Sequence, residues 1–488
     1  MENFLQDKRT VWIVAAVTML LFLIANLPWQ LDDYDQAKQA FTSFEMIKEG
    51  HWFYQRTPHE HVATKPPLVG WVSAGVFVLT KSWDVAWRLP SFLAAIGIMT
   101  LLFRAATSVY GSTGDLIALG AFGLNLLSPR LATLVRTDMP LALVIFLIGL
   151  LIWQKIQREE AWKPQDRVYI FALLTVAMLI KGPIVYVFLV PGIALLEWRC
   201  RRHACRYSAW SGWWPWIASL AVFLLWVVGG VIFQRGFFDE VVMREFAARF
   251  AETIHRPQPL YFYLPHLLHK FAPWSAVMIA VAILGLASRR WKIRVAFREM
   301  SPETFWLVCW SLGGLVAMSL IPSKRVDRIF PIVPPLCLLL AAQVNGRVGA
   351  LRRPDAAARR PYLAIALTFA ILLTGGYTIS KVIAGYRDHR DALVVFGREV
   401  RREAEKHHWR YEVVSAKDEG LLLYLQKTHF IEPDRALAEW NRGNLDALVA
   451  STEKTPALMR ELRDAALSQF KSNERKAEQG IGYVLIAR

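Results

Sequence analysis

The sequence predicts an α-helical polytopic membrane protein: about eleven transmembrane helices, interfacial helices in the first outer loop, and a small C-terminal α/β domain. Three observations predict it. Hydrophobic residues make up 55% of the 488, more than a soluble domain needs for one core. They gather into runs parted by polar loops. The loops alternate in kind: one set is short and rich in Arg and Lys, and the other carries carboxylates, aromatics, His and isolated cations.

The spans lie near 11–28, 88–108, 114–128, 139–154, 168–180 and 184–197, then 212–233, 272–287, 303–320, 329–345 and 361–383. Several are shorter than the ~20 residues a spanning helix needs, so their edges extend into the loops. The first is too long for a signal peptide and lacks a small-residue cleavage site, so it reads as a retained span. Twenty Trp and 27 Phe suit aromatic belts at the two interfaces. No internal repeat is visible, which counts against many transporter folds.

Residues 66–80 (PPLVGWVSAGVFVLT) decide the topology. As a helix they reach about 22 Å, short of a ~30 Å hydrocarbon core. If they crossed, the loops at 155–167, 198–210, 288–302 and 346–360 would face outside, and all four are rich in Arg and Lys. That would break the positive-inside rule at every one of them. If 66–80 instead lies in the interface or re-enters, all four are cytoplasmic and agree with Lys8 and Arg9. The second reading is adopted. It places 29–87, the 129–138 turn, the 181–183 turn, the 234–271 loop and the 321–328 turn together on the outer face.

After the last span the composition changes. RYEVVSA (410–416), LDALVAS (445–451) and GYVLIAR (482–488) read as strands, and LLLYLQ (421–426), RALAEW (435–440) and PALMRELRDAAL (456–467) as helices. The chain divides into a transmembrane catalytic domain, 1–385, and a soluble outer domain, 386–488. The first domain includes the outer loops 29–87 and 234–271.

The net charge of +17 would suggest nucleic acid in a soluble protein, but much of the excess sits in short loops between spans, and nucleic-acid binding is set aside. Membrane lipids, anionic substrates among them, are the partners it favours. Four cysteines make no disulfide framework. Cys200 and Cys205, with His203, lie in a loop read as cytoplasmic and reducing, and Cys309 and Cys337 serve as small apolar residues within spans.

The outer loops carry the chemistry. Asp32, Asp33 and Asp35 follow the first span and open a helical stretch, where Asp is also a natural cap. Three carboxylates exceed what a cap requires, and membrane-edge charges tend to be functional. Lys65 precedes Pro66-Pro67, either snorkelling to the interface or holding a phosphate. His59, Glu60 and His61 have ligand chemistry at an unspecific spacing, so a divalent metal is a candidate and no cofactor is certain. Arg136 and Asp138 stand at an outer helix start, and Lys181 at an outer turn broken by Gly182-Pro183. Arg249, His255 and Tyr263 belong to a dense loop of cations and aromatics. Lys324, Arg325 and Arg328 pack into one outer turn against the positive-inside bias, which a bound anion explains. Carboxylates with several cations at a membrane face suit transfer from a lipid-phosphate donor.

This pattern resembles the GT-C glycosyltransferases, in particular the bacterial branch of lipid A aminoarabinose transferases and protein mannosyltransferases. The resemblance covers residues 10–345. That branch opens its first outer loop on an acidic pair. Asp35 stands at the first of these positions and Gln36 at the second, followed by Met46 and Gly50-His51-Trp52. Its Glu-Lys-Pro appears as Thr64-Lys65-Pro66, its second aspartate as Asp138, and its Lys-Gly-Pro as Lys181 to Pro183. Its Arg-Phe, His, Pro, Phe-Tyr and Pro-Trp run matches Arg249-Phe250, His255, Pro259, Phe262-Tyr263 and Pro273-Trp274. Its Ser-Lys turn before a proline matches Ser323-Lys324 to Pro331, with Arg328 where the aminoarabinose transferases carry Tyr.

The resemblance implies inverting transfer from a polyprenyl-phosphate-linked sugar to a lipid A-like or other envelope acceptor, lipid or glycan, at the periplasmic face of a bacterial inner membrane. With the loop chemistry it implies that Asp35 is the main catalytic carboxylate and that Asp138 supports it. Lys65, Lys181, Lys324 and Arg328 would bind the donor phosphate, while Arg136, Arg249, His255 and Tyr263 would shape the sugar or acceptor pocket. Rival readings are a transporter or flippase capturing an anionic lipid or sugar, a protein O-glycosyltransferase, and a lapsed relative with a binding role.

Overall fold

The computed structural model describes residues 8–31, 34–59, 61–203, 207–246, 257–288, 297, 300–345, 356–414, 419–468, 470 and 482–488. The helices run in order α1 (Lys8–Ile24), α2 (Tyr34–Glu49), α3 (Leu68–Thr80), α4 (Trp83–Gly123), α5 (Ser128–Ala132) and α6 (Asp138–Arg158). Then come α7 (Pro164–Lys181), α8 (Ile184–His203), α9 (Trp214–Phe233), α10 (Tyr263–Lys270) and α11 (Trp274–Ser288). They continue with α12 (Pro302–Leu320), α13 (Val333–Val344), α14 (Ala356–Arg387), α15 (Ala392–His407), α16 (Glu419–Leu425), α17 (Pro433–Asn441) and α18 (Thr455–Glu461). The strands are β1 (Tyr411–Val413), β2 (Ala447–Ser451), β3 (Ala466–Ser468) and β4 (Tyr483–Ala487).

This is a multi-pass membrane protein. Among the described residues six helices are long and apolar enough to cross a bilayer, or seven if the bent pair Leu260–Lys270 and Trp274–Ala287 counts as one span. That pair turns through 103°. The span expected at 88–108 lies within α4, and the one expected at 114–128 begins there but the helix ends at Gly123; Gly111 breaks α4 at φ 71° and ψ −169°. Only glycine takes that conformation without strain.

The chain forms two compact units. The first comprises Met1–Ala25, Thr64–Leu68 and Arg88–Ile379; the second comprises Asn26–Ala63, Val69–Trp87 and Ser380–Arg488. At the centre of the first, α8 and α12 approach backbone to backbone. A Cβ on Gly313 would lie 2.7 Å from the Gly192 nitrogen, so both positions must be glycine. α6 joins them through Gly149, whose carbonyl accepts the Trp306 indole at 3.0 Å. This packing holds α6, and with it the start of that helix at Asp138.

In the second unit the sheet has the order β1-β2-β4-β3, with β1 and β2 parallel and the other pairs antiparallel. Its core gathers Val414, Trp440, Leu448, Leu458 and Ile486. The segment expected as one helix over 456–467 ends instead at Glu461. Leu462 is extended and Asp464 takes φ 55°, which turns the chain into β3 on the edge of the sheet. α2 packs on α16, and α3 packs on α2 where Gly70 admits the Met46 side chain.

Candidate active site

The α6–α7 hairpin builds the centre of the site. α6 begins at Asp138 and α7 ends at Lys181, so an antiparallel pair brings the two residues to one end. Lys181 Nζ donates to Asp138 Oδ1 at 2.5 Å. α7 stops there because Gly182 takes φ 74°, its N–H still bonded to the Met178 carbonyl at 2.8 Å, and Pro183 follows. Asp138 is only 5% exposed. Arg136 and Lys65 also act electrostatically on its carboxylate, so three cations surround one buried acid.

Arg136 is itself anchored. Its NH1 donates to Asp327 Oδ2 at 2.8 Å, and Arg130 NH1 lies 3.5 Å from Asp327 Oδ1. Ser91 Oγ donates to the carbonyls of Leu134 at 2.9 Å and Arg136 at 3.2 Å, pinning the loop that carries the arginine.

The turn from 321 to 328 adds two more cations. Lys324 Nζ donates to the Gln258 carbonyl at 2.9 Å, and the Gln258 N–H donates to the Pro322 carbonyl at 3.2 Å. Burial holds the Lys324 ammonium below the ordinary lysine value. Arg328 NH1 donates to the Ser323 carbonyl at 2.9 Å and to its Oγ at 3.3 Å. Tyr263, wholly buried, lies within electrostatic reach of both Arg328 and Asp138. Cationic groups outnumber the two buried carboxylates, so the site can hold an anion such as a phosphate.

Asp35 belongs to the second unit, as the second residue of α2 and half-buried. The elements around it set its helix. The Leu31 N–H donates to Tyr424 Oη at 2.6 Å. A Cβ on Gly420 would stand 3.1 Å from the Leu31 carbonyl, so α16 presses directly on the entry to α2. Beside it Glu419 is 3% exposed, and burial pushes its carboxyl up to about 7, with Lys38 pulling the other way. Farther along α2, Glu45 pairs with His51 at 2.5 Å.

The structure therefore gathers Lys65, Arg136, Asp138, Lys181, Tyr263, Lys324 and Arg328 in the first unit. Arg249 and His255 lie outside the described residues. Asp327 was not singled out from the sequence; an aspartate between Arg325 and Arg328 is the signal that could have found it, since so dense a run of cations needs a counter-charge. As for a metal, Asp138 and Asp327 are both engaged by cations, and no three His, Cys, Asp or Glu among the described residues are grouped to hold an ion.

The family model of dolichyl-phosphate-mannose-protein mannosyltransferases matches residues 64–232, a stretch that takes in Lys65, Asp138 and Lys181. The crystal structure of ArnT from Cupriavidus metallidurans bound to undecaprenyl phosphate superposes on the whole chain. The TM-score is 0.69 at 16% identity, covering 98% of this chain and 97% of that one. The chain is similar to the GT-C glycosyltransferases in sequence and in fold. Among GT-C relatives, an undecaprenyl phosphate-alpha-4-amino-4-deoxy-L-arabinose arabinosyl transferase of Sodalis glossinidius is 26% identical over 356 residues, 67% of this chain and 56% of the relative. One from Pectobacterium atrosepticum is 24% identical over 365 residues, 72% of this chain and 62% of the relative. The chain thus spans 56–62% of the length of these curated relatives. At such identities the structural likeness establishes the GT-C fold, and the chemistry must be argued from the residues.

Proposed function

We propose that this chain is an inverting glycosyltransferase that moves a sugar from a polyprenyl-phosphate donor to a lipid A-like or other envelope acceptor. It acts at the periplasmic face of a bacterial inner membrane, with the 386–488 domain on the same side. The observation that carries this reading is the cluster of cations around Asp138, built at helix ends and in the turn before α13. The curated relatives, named for undecaprenyl phosphate-linked aminoarabinose, support it.

In this mechanism Lys65, Lys181, Lys324 and Arg328 hold the donor phosphate. As the bond from the sugar C1 to the phosphate oxygen breaks, that oxygen keeps the electron pair, and the cations stabilise the polyprenyl phosphate that leaves. The acceptor oxygen attacks C1 from the opposite side, inverting it. If the acceptor is a hydroxyl, Asp35 takes its proton. If it is a phosphate, it is already ionised, and Asp35 positions the sugar instead. Asp138 orients Lys181 through their ion pair, and Arg136, Arg249, His255 and Tyr263 line the sugar or acceptor pocket.

The test is transfer by membranes carrying the Asp35→Asn variant, supplied with undecaprenyl-phosphate aminoarabinose and lipid A, with folding checked by thermal unfolding. A hydroxyl acceptor predicts a loss of about 100-fold or more. A phosphate acceptor predicts a milder one. Full activity would overturn the role of Asp35. In a deletion strain, mass spectrometry of envelope lipids should show one sugar lost and its lipid-linked donor accumulated. An unchanged glycan profile with a lipid stranded on one side would favour transport.

A further inference from the structure

A cavity of about 560 Å³ opens between α8 and α9 in the first unit. Its lining runs along α8 from Tyr186, near the start of that helix, to Arg201, near its end at His203. One wall is a stripe on α8: Val190 and Ile193, then Glu197, then Arg201, spaced close to one per helical turn. The facing stripe on α9 is Trp213, Ile217 and Leu220. The groove is therefore apolar along its length and charged at one end.

Polar and ring contacts tie the walls together. Trp210 stacks on Trp216 with centroids 5.4 Å apart and planes at 14°. The Trp216 indole donates to Ser211 Oγ at 3.0 Å, and its carbonyl accepts the Tyr186 hydroxyl at 2.6 Å. Glu197 Oε1 accepts from Ser208 Oγ at 2.8 Å and from the N–H groups of Ala209 at 2.7 Å and Trp210 at 3.2 Å. An acid and a base four residues apart on a helix ordinarily pair. Here Glu197 is turned back onto the 208–210 loop, and neither it nor the exposed Arg201 makes an ion pair among the described residues. One cavity thus presents an acid and a base, both without an ionic partner among the described residues, above an apolar groove.

We infer that this cavity binds one phospholipid whose head group carries both a phosphate and a primary ammonium, as phosphatidylethanolamine does. The phosphate pairs with Arg201, the ammonium donates to Glu197 Oε2, and one acyl chain lies along the groove between α8 and α9. A purely anionic head group would face Glu197 with no compensating charge. A quaternary ammonium has no N–H to give the carboxylate.

The experiment is native mass spectrometry of the full chain in detergent, with dioleoyl phosphatidylethanolamine, phosphatidylglycerol and phosphatidylcholine added at equal concentration. The ethanolamine lipid should be retained above the other two. Arg201→Gln and Glu197→Gln should each weaken that retention about tenfold, the loss expected for one charge-assisted hydrogen bond. Glu197→Gln keeps an acceptor for the loop, and Arg201 is exposed, so both variants should unfold at the wild-type temperature. Equal retention of all three lipids would mean ordinary annular lipid. Preference for phosphatidylglycerol would mean recognition of phosphate alone, and preference for phosphatidylcholine an aromatic cation site. Each of these, or variants that bind like wild type, overturns the proposal.

Discussion

At the scale of residues, the site rests on two ion pairs that share one logic: a buried aspartate fixes a cation that must stay charged where water is scarce. Asp138 fixes Lys181, and Asp327 fixes Arg136. Asp327→Asn would remove the ion pair that anchors Arg136, 11% exposed. A loss of about 3 kcal/mol is expected, seen as a fall in the thermal midpoint in detergent; an unchanged midpoint would show that the pair is dispensable. Asp138 and Lys181 were legible in the sequence because each stands where a span begins or ends, and a charge there needs a reason. Their mutual contact was not, since it depends on the hairpin. Asp327 was less legible still: its partners Arg136 and Arg130 lie 191 and 197 positions earlier, and only the folded chain brings them within reach.

At the scale of elements, α16 sets α2, and a titrating group lies between them. The Glu419 carboxyl, held near 7 in the fold against an ordinary 4.5, keeps its proton more tightly folded than unfolded. Stability from this group is therefore full below about pH 4.5 and is lost as pH rises toward 7, a difference on the order of 3 kcal/mol. Glu419→Gln should raise the unfolding temperature at pH 8 and leave it nearly unchanged at pH 4.5. A shift of equal size at both values would remove the titration from the account. Strands β1, β2 and β4 were legible because alternating apolar residues between turn signals mark them. β3 was not, because ALS continues a helical pattern and becomes a strand only by pairing with β4. The gap between the spans at 88–108 and 114–128 contains Gly111, whose backbone conformation breaks α4.

At the scale of the whole molecule, the alternation of basic and functional loops is the basis of the proposed orientation. Positive-inside counting concerns Lys and Arg and not net charge, so it is unaffected by the ion pairs of Lys155 with Glu160 at 3.0 Å and Asp166 at 2.7 Å. The proposed orientation predicts that, in a cysteine-free background, Asp388→Cys reacts with a membrane-impermeant maleimide once the outer membrane is permeabilised. Lys163→Cys should react only after the inner membrane is broken, and the reverse pattern would invert the topology. The hydrogen bond from Leu31 to Tyr424 joins positions 393 residues apart. A ribosome adding 5–20 residues per second needs about 20 to 80 s to travel that far. For all of that time the segment bearing Asp35 is already made and the helix that seats it does not yet exist, so α2 takes its final seat only after the C-terminal residues have been added.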